Sequence, residues 1–426
     1  MSNTNFRRTK FACYAAYFTM SSVFCLPPLL FVTLREMYDI SYTLLGTLVL
    51  VNFCTQLMID LIFSVYSKKF NVKAIVKIMP LITSLGLFTF ALVPTLFPNV
   101  AYVGLVAGTV IFSLAAGFSE VLLSPTIAAI PSKNPQRDMS FLHSLYAFGV
   151  FFVVIVTTVF FKLFSTDKWA YLTMFFALLP IIAAVLFFLS PMPDISGNTE
   201  EKGTQASKRK RIGIAICFAC IFFGAAAECA MSNWISGYME NALHIDKAVG
   251  DIVGMAAFAI LLGLGRIGYA RFGKNVSVVL LVGMSGAIAC YLVAGLCVSV
   301  VPTLIACMLT GVFTSMLWPG TLMLMEEKLP GCGVTAYALM AAGGDLGASV
   351  SSQLFGVVAD GVSASGFAQT LSLEVGLTVE QIGLKAGMLV CAIFPIIGVA
   401  VLLFGIGFFK RKAVLEKKQG LLKGME

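Results

Sequence analysis

Apolar residues run along this chain in long, nearly unbroken blocks, separated by short polar or Pro-, Gly- and Asn-containing stretches such as 94–99 and 131–135. Most blocks are about 20 residues or longer, the length an α-helix needs to cross the hydrocarbon of a bilayer. Strands of a membrane barrel would alternate apolar and polar residues at every second position, and these blocks do not. The pattern predicts twelve helical spans, at roughly 11–33, 42–66, 74–97, 101–130, 138–163, 169–190, 212–239, 248–270, 276–298, 302–326, 333–360 and 384–409. The predicted class is therefore an all-α membrane protein of twelve transmembrane helices.

The pattern also divides the chain. Between the sixth and seventh spans lies the polar stretch "PMPDISGNTEEKGTQASKRKR", rich in small residues and ending in a basic run, which has the composition of a flexible linker. The expected organisation is an N-terminal six-helix half at 1–190, a cytoplasmic linker at 191–211, and a C-terminal six-helix half with a basic tail at 212–426. The halves echo each other. "SPTIAAIPSKNPQRDMSFLHSLYAFG" from Ser124 aligns with "WPGTLMLMEEKLPGCGVTAYALMAAGG" from Trp318, which sets Pro125 against Pro319, His143 against Tyr337 and Gly149 against Gly343. "SKKFNVK" after the second span likewise parallels "ARFGK" after the eighth. Internal repeats of this kind are a mark of secondary transporters.

Composition agrees with the spans and charge orients them. The chain is 59% hydrophobic and only 12% charged, with a mean hydropathy of +0.93. Its net charge of +8 would suit nucleic acid, but the charge follows topology instead. With the N-terminus inside, 24 of the 29 Lys and Arg residues fall in cytoplasmic segments, leaving only Arg35, Lys162, Lys168, Lys247 and Lys385 outside. This places a multi-pass protein in the cell membrane, the inner membrane in a two-membrane bacterium, with both termini cytoplasmic and the lipid bilayer, not nucleic acid, as its macroscopic partner. The basic leader Arg7, Arg8 and Lys10 precedes a first span expected to stay in place. The 11 cysteines lie almost all within spans and lack paired spacing near polar ligands, so neither a disulfide framework nor a metal site is predicted. "GLGRIG" from Gly263 follows no strand, no phosphate loop is present, and enzyme activity has no support in the motifs. Asn275-Val276-Ser277 matches a glycosylation acceptor but falls on the inner side.

A few polar residues break the apolar spans and carry the candidate chemistry. Glu120 lies in a hydrophobic stretch, 101–130, that holds no basic residue. A bare carboxylate in hydrocarbon costs a few kcal/mol on insertion scales and roughly 10 or more in some simulations. Such a residue faces a polar cavity or takes up a proton, which makes Glu120 the candidate proton carrier, with a structural hydrogen bond as the plainer reading. His143 follows on the adjacent span, either sharing that proton or simply packing near the rim. Glu228 and Ser232 share one face of the seventh span. Asn233 and Trp234 lie well round that helix, the tryptophan suited to stacking on a sugar or to packing. Asp345 sits in the small-residue run "AAGGDLGASVSS", whose glycines permit close helix approach. Tyr146, Trp318 and Tyr337 are candidate cavity aromatics, and Asp60, Lys68, Arg266 and Arg271 are candidate gating charges at the cytoplasmic ends, each with a packing or topological alternative. Pro27–Pro28 and Pro319 are expected to kink their spans.

Twelve spans as six plus six, a central cytoplasmic loop, and basic loops after spans two and eight resemble the major facilitator superfamily. Within it, "AAGFSEVLLSPTIAAI" followed by "SFLHSLYAFGVFF", and "FFGAAAECAMSNWISGYMENAL" in span seven, resemble the fucose:proton symporter branch. That resemblance implies a proton-carrying Glu120, a cavity-lining Glu228 and a functional monomer. The sequence departs from the branch in lacking a carboxylate in span one. It departs from the superfamily's loop pattern in placing Lys68 where an Asp is usual and Asn71 where a Gly is usual. The expected function is proton-coupled symport of a small polar solute, a sugar or sugar derivative. It would need no cofactor and draw its energy from the proton gradient. The rivals are a proton-driven antiporter exporting drugs or metabolites and, from another class, a non-transporting membrane sensor.

Overall fold

The computed structural model describes residues 6–66, 70–133, 135–193, 208–272, 275–329 and 333–423; some side chains near helix ends, those of His143, Arg271 and Tyr337 included, lie outside the described set, as does Lys68. Nearly all of what is described is helix. The first six spans are α1 (Arg7–Tyr38), α2 (Tyr42–Tyr66), α3 (Val72–Leu96), α4 (Ala101–Ala128), α5 (Pro135–Leu163) and α6 (Trp169–Phe188). The next four are α7 (Lys208–Asn241), then α8 (Lys247–Val249) running through a π-helical segment (Gly250–Ala256) into α9 (Ala257–Phe272), then α10 (Val276–Leu296), then α11 (Val300–Thr314) continued by α12 (Leu317–Lys328). The last two are α13 (Gly333–Ser363) and α15 (Val379–Cys391) continued by α16 (Ile393–Lys423), with a short α14 (Gly366–Val375) between them.

Ten of these segments are long and apolar enough to cross a membrane among the described residues. The two that fall short are α5, whose apolar part is 148–163, and α13, which carries Asp345, Ser349, Ser351, Ser352 and Gln353. The outward surface of the bundle is apolar: Leu85, Ile182, Ile267 and Phe404 are each more than half exposed. Such side chains belong against lipid.

Three details of the elements bear on the site. The tenth span breaks between α11 and α12 just ahead of Pro319, as the proline predicts, whereas α1 runs on through Pro27 and Pro28. The eighth span carries the π segment, which no residue pattern announces. The α1–α2 hairpin closes through Asp39, a left-handed residue at φ 53° whose N–H donates to the Arg35 carbonyl; Asp is among the few side chains that tolerate this region.

Helices α1–α6 pack on one another, as do α7–α16, and the main pairings that join the groups are α2 on α13, α1 on α7, and α5 on the eighth span. Close approach depends on small residues. A side chain at Gly46 would meet the Ser352 carbonyl at 2.9 Å and the Gln353 Cα at 3.1 Å. Gly356 similarly abuts the Tyr42 backbone.

At the end of the bundle opposite the two termini, polar bonds latch the groups together. The N–H groups of Tyr42 and Thr43 donate to the Asp360 carboxylate at 3.1 and 2.5 Å, so α13 supplies the N-terminal cap of α2. Arg35 pairs with Glu380 at 3.2 Å and lies 4.2 Å from the centre of the Tyr42 ring. The Tyr42 hydroxyl donates to Glu380 at 2.8 Å and accepts from Asn241 at 2.8 Å. Lys162 reaches Asp246 at 3.4 Å, and the Val249 N–H, more than the lysine, holds that exposed carboxyl below its ordinary range.

Candidate functional site

Beneath the latch, the facing surfaces of α2, α4 and α13 are polar. On α2, Asn52, Gln56 and Asp60 recur every four residues and therefore share one face. Ser113 on α4 donates to the Asn52 carbonyl oxygen Oδ1 at 2.6 Å, and Gln56 donates to the same oxygen at 3.0 Å. On α13, Ser349 hydrogen-bonds the Asp345 carbonyl at 2.7 Å, and Ser352 accepts from the Asn233 amide at 2.9 Å.

These stripes end in a cluster of three carboxylates. One oxygen each of Asp60, Glu120 and Asp345 lie within 4.8 Å of one another. Asp60 is 4% exposed and Asp345 2% exposed; both oxygens of Asp60 and one of Asp345 have no hydrogen-bond partner among the described residues. Two members come from the first group of helices and one from the second, so the cluster straddles their junction. No ion pair to Lys or Arg offsets these carboxylates among the described residues. Each ionised pair at this separation would repel by about 3 kcal/mol at an effective dielectric of about 20. The arrangement thus suits groups that share protons or together ligate a hard cation.

A second polar centre faces the first across the middle of the bundle. Glu228 of α7 pairs with Arg266 of α9 at 3.2 Å, and the arginine Nε donates to the Ser315 carbonyl at 3.0 Å. That carbonyl sits where α11 breaks into α12, so the interruption of the helix supplies the acceptor. Tyr17 of α1 lies within electrostatic reach of both Glu120 and Arg266, and Tyr146 of α5 within reach of Tyr17 and Glu228. Carboxylates, phenols and a guanidinium therefore converge from both groups of helices at mid-bundle.

A family model described as Major Facilitator Superfamily matches residues 11–352. The chain belongs to the Major Facilitator Superfamily. Its helices have the twelve-span major facilitator fold, and membership makes it a membrane transporter of the secondary kind rather than an enzyme. No curated protein matches it. Solved structures of the same fold include a bacterial homologue of the human lysosomal transporter Spinster in an inward-facing, occupied conformation, at TM-score 0.75 and 13% identity, covering 95% of this chain and 97% of that one. A D-xylose–proton symporter aligns at TM-score 0.71 and 14% identity over 91% and 96% of the two chains. A variant of the nucleoside transporter NupG aligns at TM-score 0.68 and 13% identity over 93% and 99%. Identities this low carry the fold and nothing finer.

Within this superfamily member the sequence-predicted residues divide into groups. Glu120 and Asp345 meet, joined by Asp60, which the sequence places among the gating charges and which instead stands in the carboxylate cluster. Arg266, also expected at a gate, holds Glu228. Ser232 donates to the Cys229 carbonyl at 3.2 Å one turn from Glu228. Asn233 lines a small cavity with Asn52, Thr109, Pro27 and Pro28. Trp234 is 1% exposed, stacks on Phe355 at 4.4 Å and donates to the Ser352 carbonyl at 3.1 Å, so both faces of its ring are occupied in this conformation. Tyr146 packs edge-on to Phe24 at 5.9 Å. The benzo edge of the Trp318 ring abuts Gly344, where α12 meets α13. Lys68 and the side chains of His143, Tyr337 and Arg271 lie outside the described residues.

Sequence reasoning passes over Asn52, Gln56 and Ser113, and the whole latch of Arg35, Tyr42, Asp360 and Glu380. The stripe on α2 has a signal, its four-residue recurrence inside an apolar span. The latch has none, because its partners are more than 300 residues apart in the chain.

Proposed function

We propose that this chain is a proton-coupled symporter of a small polar solute, a sugar or sugar derivative, working as a monomer in the cell membrane. The observation that carries this reading is the trio of buried Asp60 and Asp345 and half-buried Glu120, which straddles the two groups of helices with no basic partner among the described residues. Three carboxylates this close do not all stay ionised. When solvent reaches the trio from one side, protons enter or leave, and Asp345 moves towards or away from Asp60 and Glu120 as the halves 1–190 and 212–426 rock, the linker 191–211 spanning them. Loss or gain of a proton at Glu120 is thereby tied to the rocking itself, with no cofactor and with the proton gradient as the energy source. Excess basic charge at the face bearing the termini makes that face cytoplasmic. The latched conformation is then closed to the outside. The same fold serves a D-xylose–proton symporter, so a sugar carried with a proton is compatible with the fold.

Proteoliposomes test it. Uptake of the solute should acidify the lumen, and Glu120→Gln should abolish uphill accumulation while sparing exchange. Accumulation by Glu120→Gln under a proton gradient would remove Glu120 from coupling, and alkalinisation of the lumen on solute uptake would identify an antiporter. The clustering of the three carboxylates favours one second reading, sodium in place of the proton. Uptake that needs sodium and ignores the pH gradient selects it.

A further inference from the structure

Arg266 lies within a membrane-spanning helix, yet its side chain is 41% exposed. It does not face lipid. Ile260, Leu264 and Ile267, between 49 and 66% exposed, mark the lipid stripe of α9, and Arg266 lies about 100° or more around the helix from each of them. Its bonds run inward, to Glu228 on α7 and to the Ser315 carbonyl, and Tyr17 of α1 is within its electrostatic reach. The exposure is therefore to the central space between the halves. Arg266 uses Nε and one terminal nitrogen in these bonds, which leaves the other terminal nitrogen for a ligand. Glu228 is 15% exposed, and its second oxygen is buried without a partner among the described residues.

Resting on the transport reading above, we propose that Arg266 and Glu228 form the subsite that fixes the substrate class: Arg266 takes the carboxylate of a monoanionic sugar acid, a uronate or aldonate, whose hydroxyls meet Glu228, Ser232, Tyr17 and Tyr146. One guanidinium matches one carboxylate. A phosphate dianion would bring a second charge close to the Asp60, Glu120 and Asp345 trio, which repels it. Binding also exchanges charge. The incoming carboxylate binds across both terminal nitrogens, taking the open one and displacing Glu228 from the other, and a proton from bulk solution becomes the new counter-charge on Glu228. The titratable groups around Glu228 are Arg266 from α9, Tyr146 from α5 and Cys229 on α7 itself, with Tyr17 of α1 and Asp345 of α13 behind them. Arg266 is the one permanent cation in that set, so displacing it leaves a proton as the balancing charge.

The test is calorimetry on the purified full chain in detergent, where no gradient exists, so failure of proton coupling at Glu120 leaves the readout intact. D-glucuronate, D-galacturonate and D-gluconate are titrated beside D-glucose, D-galactose and glucose 6-phosphate, in two buffers of different ionisation enthalpy. At least one acid should bind, more tightly than its neutral counterpart and with uptake of about one proton. Arg266→Gln should weaken it about 30-fold or more, and Arg266→Lys should recover part of the loss. Glu228→Gln, which frees the arginine, should keep or improve acid binding and remove the proton uptake. The proposal is overturned if no acid binds, if the neutral sugar or the phosphate binds as tightly, or if proton uptake persists in Glu228→Gln. Should Arg266→Gln fail to fold, Arg266→Lys and Glu228→Gln decide it.

Discussion

Single residues in this protein are conspicuous for charge, but their chemistry is set by who stands beside them. Glu120 and Asp345 are visible in the sequence as carboxylates in stretches too apolar to solvate them. Asp60 is not, since it lies six residues from the end of α2 and looks like a rim charge until α13 is laid against it. Asp345→Asn removes an unsatisfied carboxylate from the trio while keeping its shape. We expect it to raise the melting temperature by a few degrees at neutral pH, following relief of roughly 3 kcal/mol of repulsion per ionised pair. The gain should shrink in acid, where protonation relieves the same repulsion. A thermal-shift series from pH 5 to 8 checks this, and a uniformly lower melting temperature for Asp345→Asn would mean the residue holds the helices together instead. Arg35 and Glu380 offer a residue-scale test of the latch. Each single charge reversal should weaken it and the double reversal, Arg35→Glu with Glu380→Arg, should restore uptake; a double variant no better than either single one would show that the pair is incidental. These two side chains are 30% and 41% exposed, so about 1 kcal/mol or less is at stake.

Helices differ in how plainly the sequence marks them. The ten long apolar segments follow directly from block length. α13 is legible as a span only by its length between breaks. Its serines, glycines and Asp345 lower its hydropathy because one whole side faces α2 and α7 rather than lipid. The π segment of the eighth span and the short α14 have no advance sign. The capping of α2 by Asp360 depends on two helices from opposite ends of the chain. Replacing Asp360 with Ala should cost about 1 kcal/mol in the latched state alone. That shifts the balance toward the state open at the latched end about fivefold, which spin-label distances across the latch will read. Gly46→Val tests the packing of the same helices. The Ser352 carbonyl lies 2.9 Å from where a Cβ at position 46 would sit, so the valine should hold α2 and α13 apart. Uptake should then be lost while expression and membrane insertion stay normal. Normal uptake by Gly46→Val would show that the two helices slide rather than separate.

At the scale of the molecule, one side chain reports on the junction. Trp234 sits where α1, α2, α7 and α13 meet, stacked on Phe355, tilted against Phe31 and edge-on to Tyr42. Opening the latched end should wet its indole and move its emission to longer wavelength, while Trp169, 1% exposed within the first six helices, stays constant. In a Trp318→Phe background that shift should follow Asp360→Ala and reverse on addition of a solute that favours closure. Block length, Pro and Gly breaks and the uneven spread of Lys and Arg determined by themselves the helical class, the number of spans and which residues are too polar for lipid, because each of those properties is local to a segment of about 20 residues. Tertiary structure alone decided that Asp60 joins Glu120 and Asp345, that Arg266 neutralises Glu228 from inside the central space, and that Asp360 caps a helix near the other end of the chain. Those outcomes rest on contacts of a few ångströms between segments up to about 300 residues apart, and no local pattern encodes which side of one helix will face another.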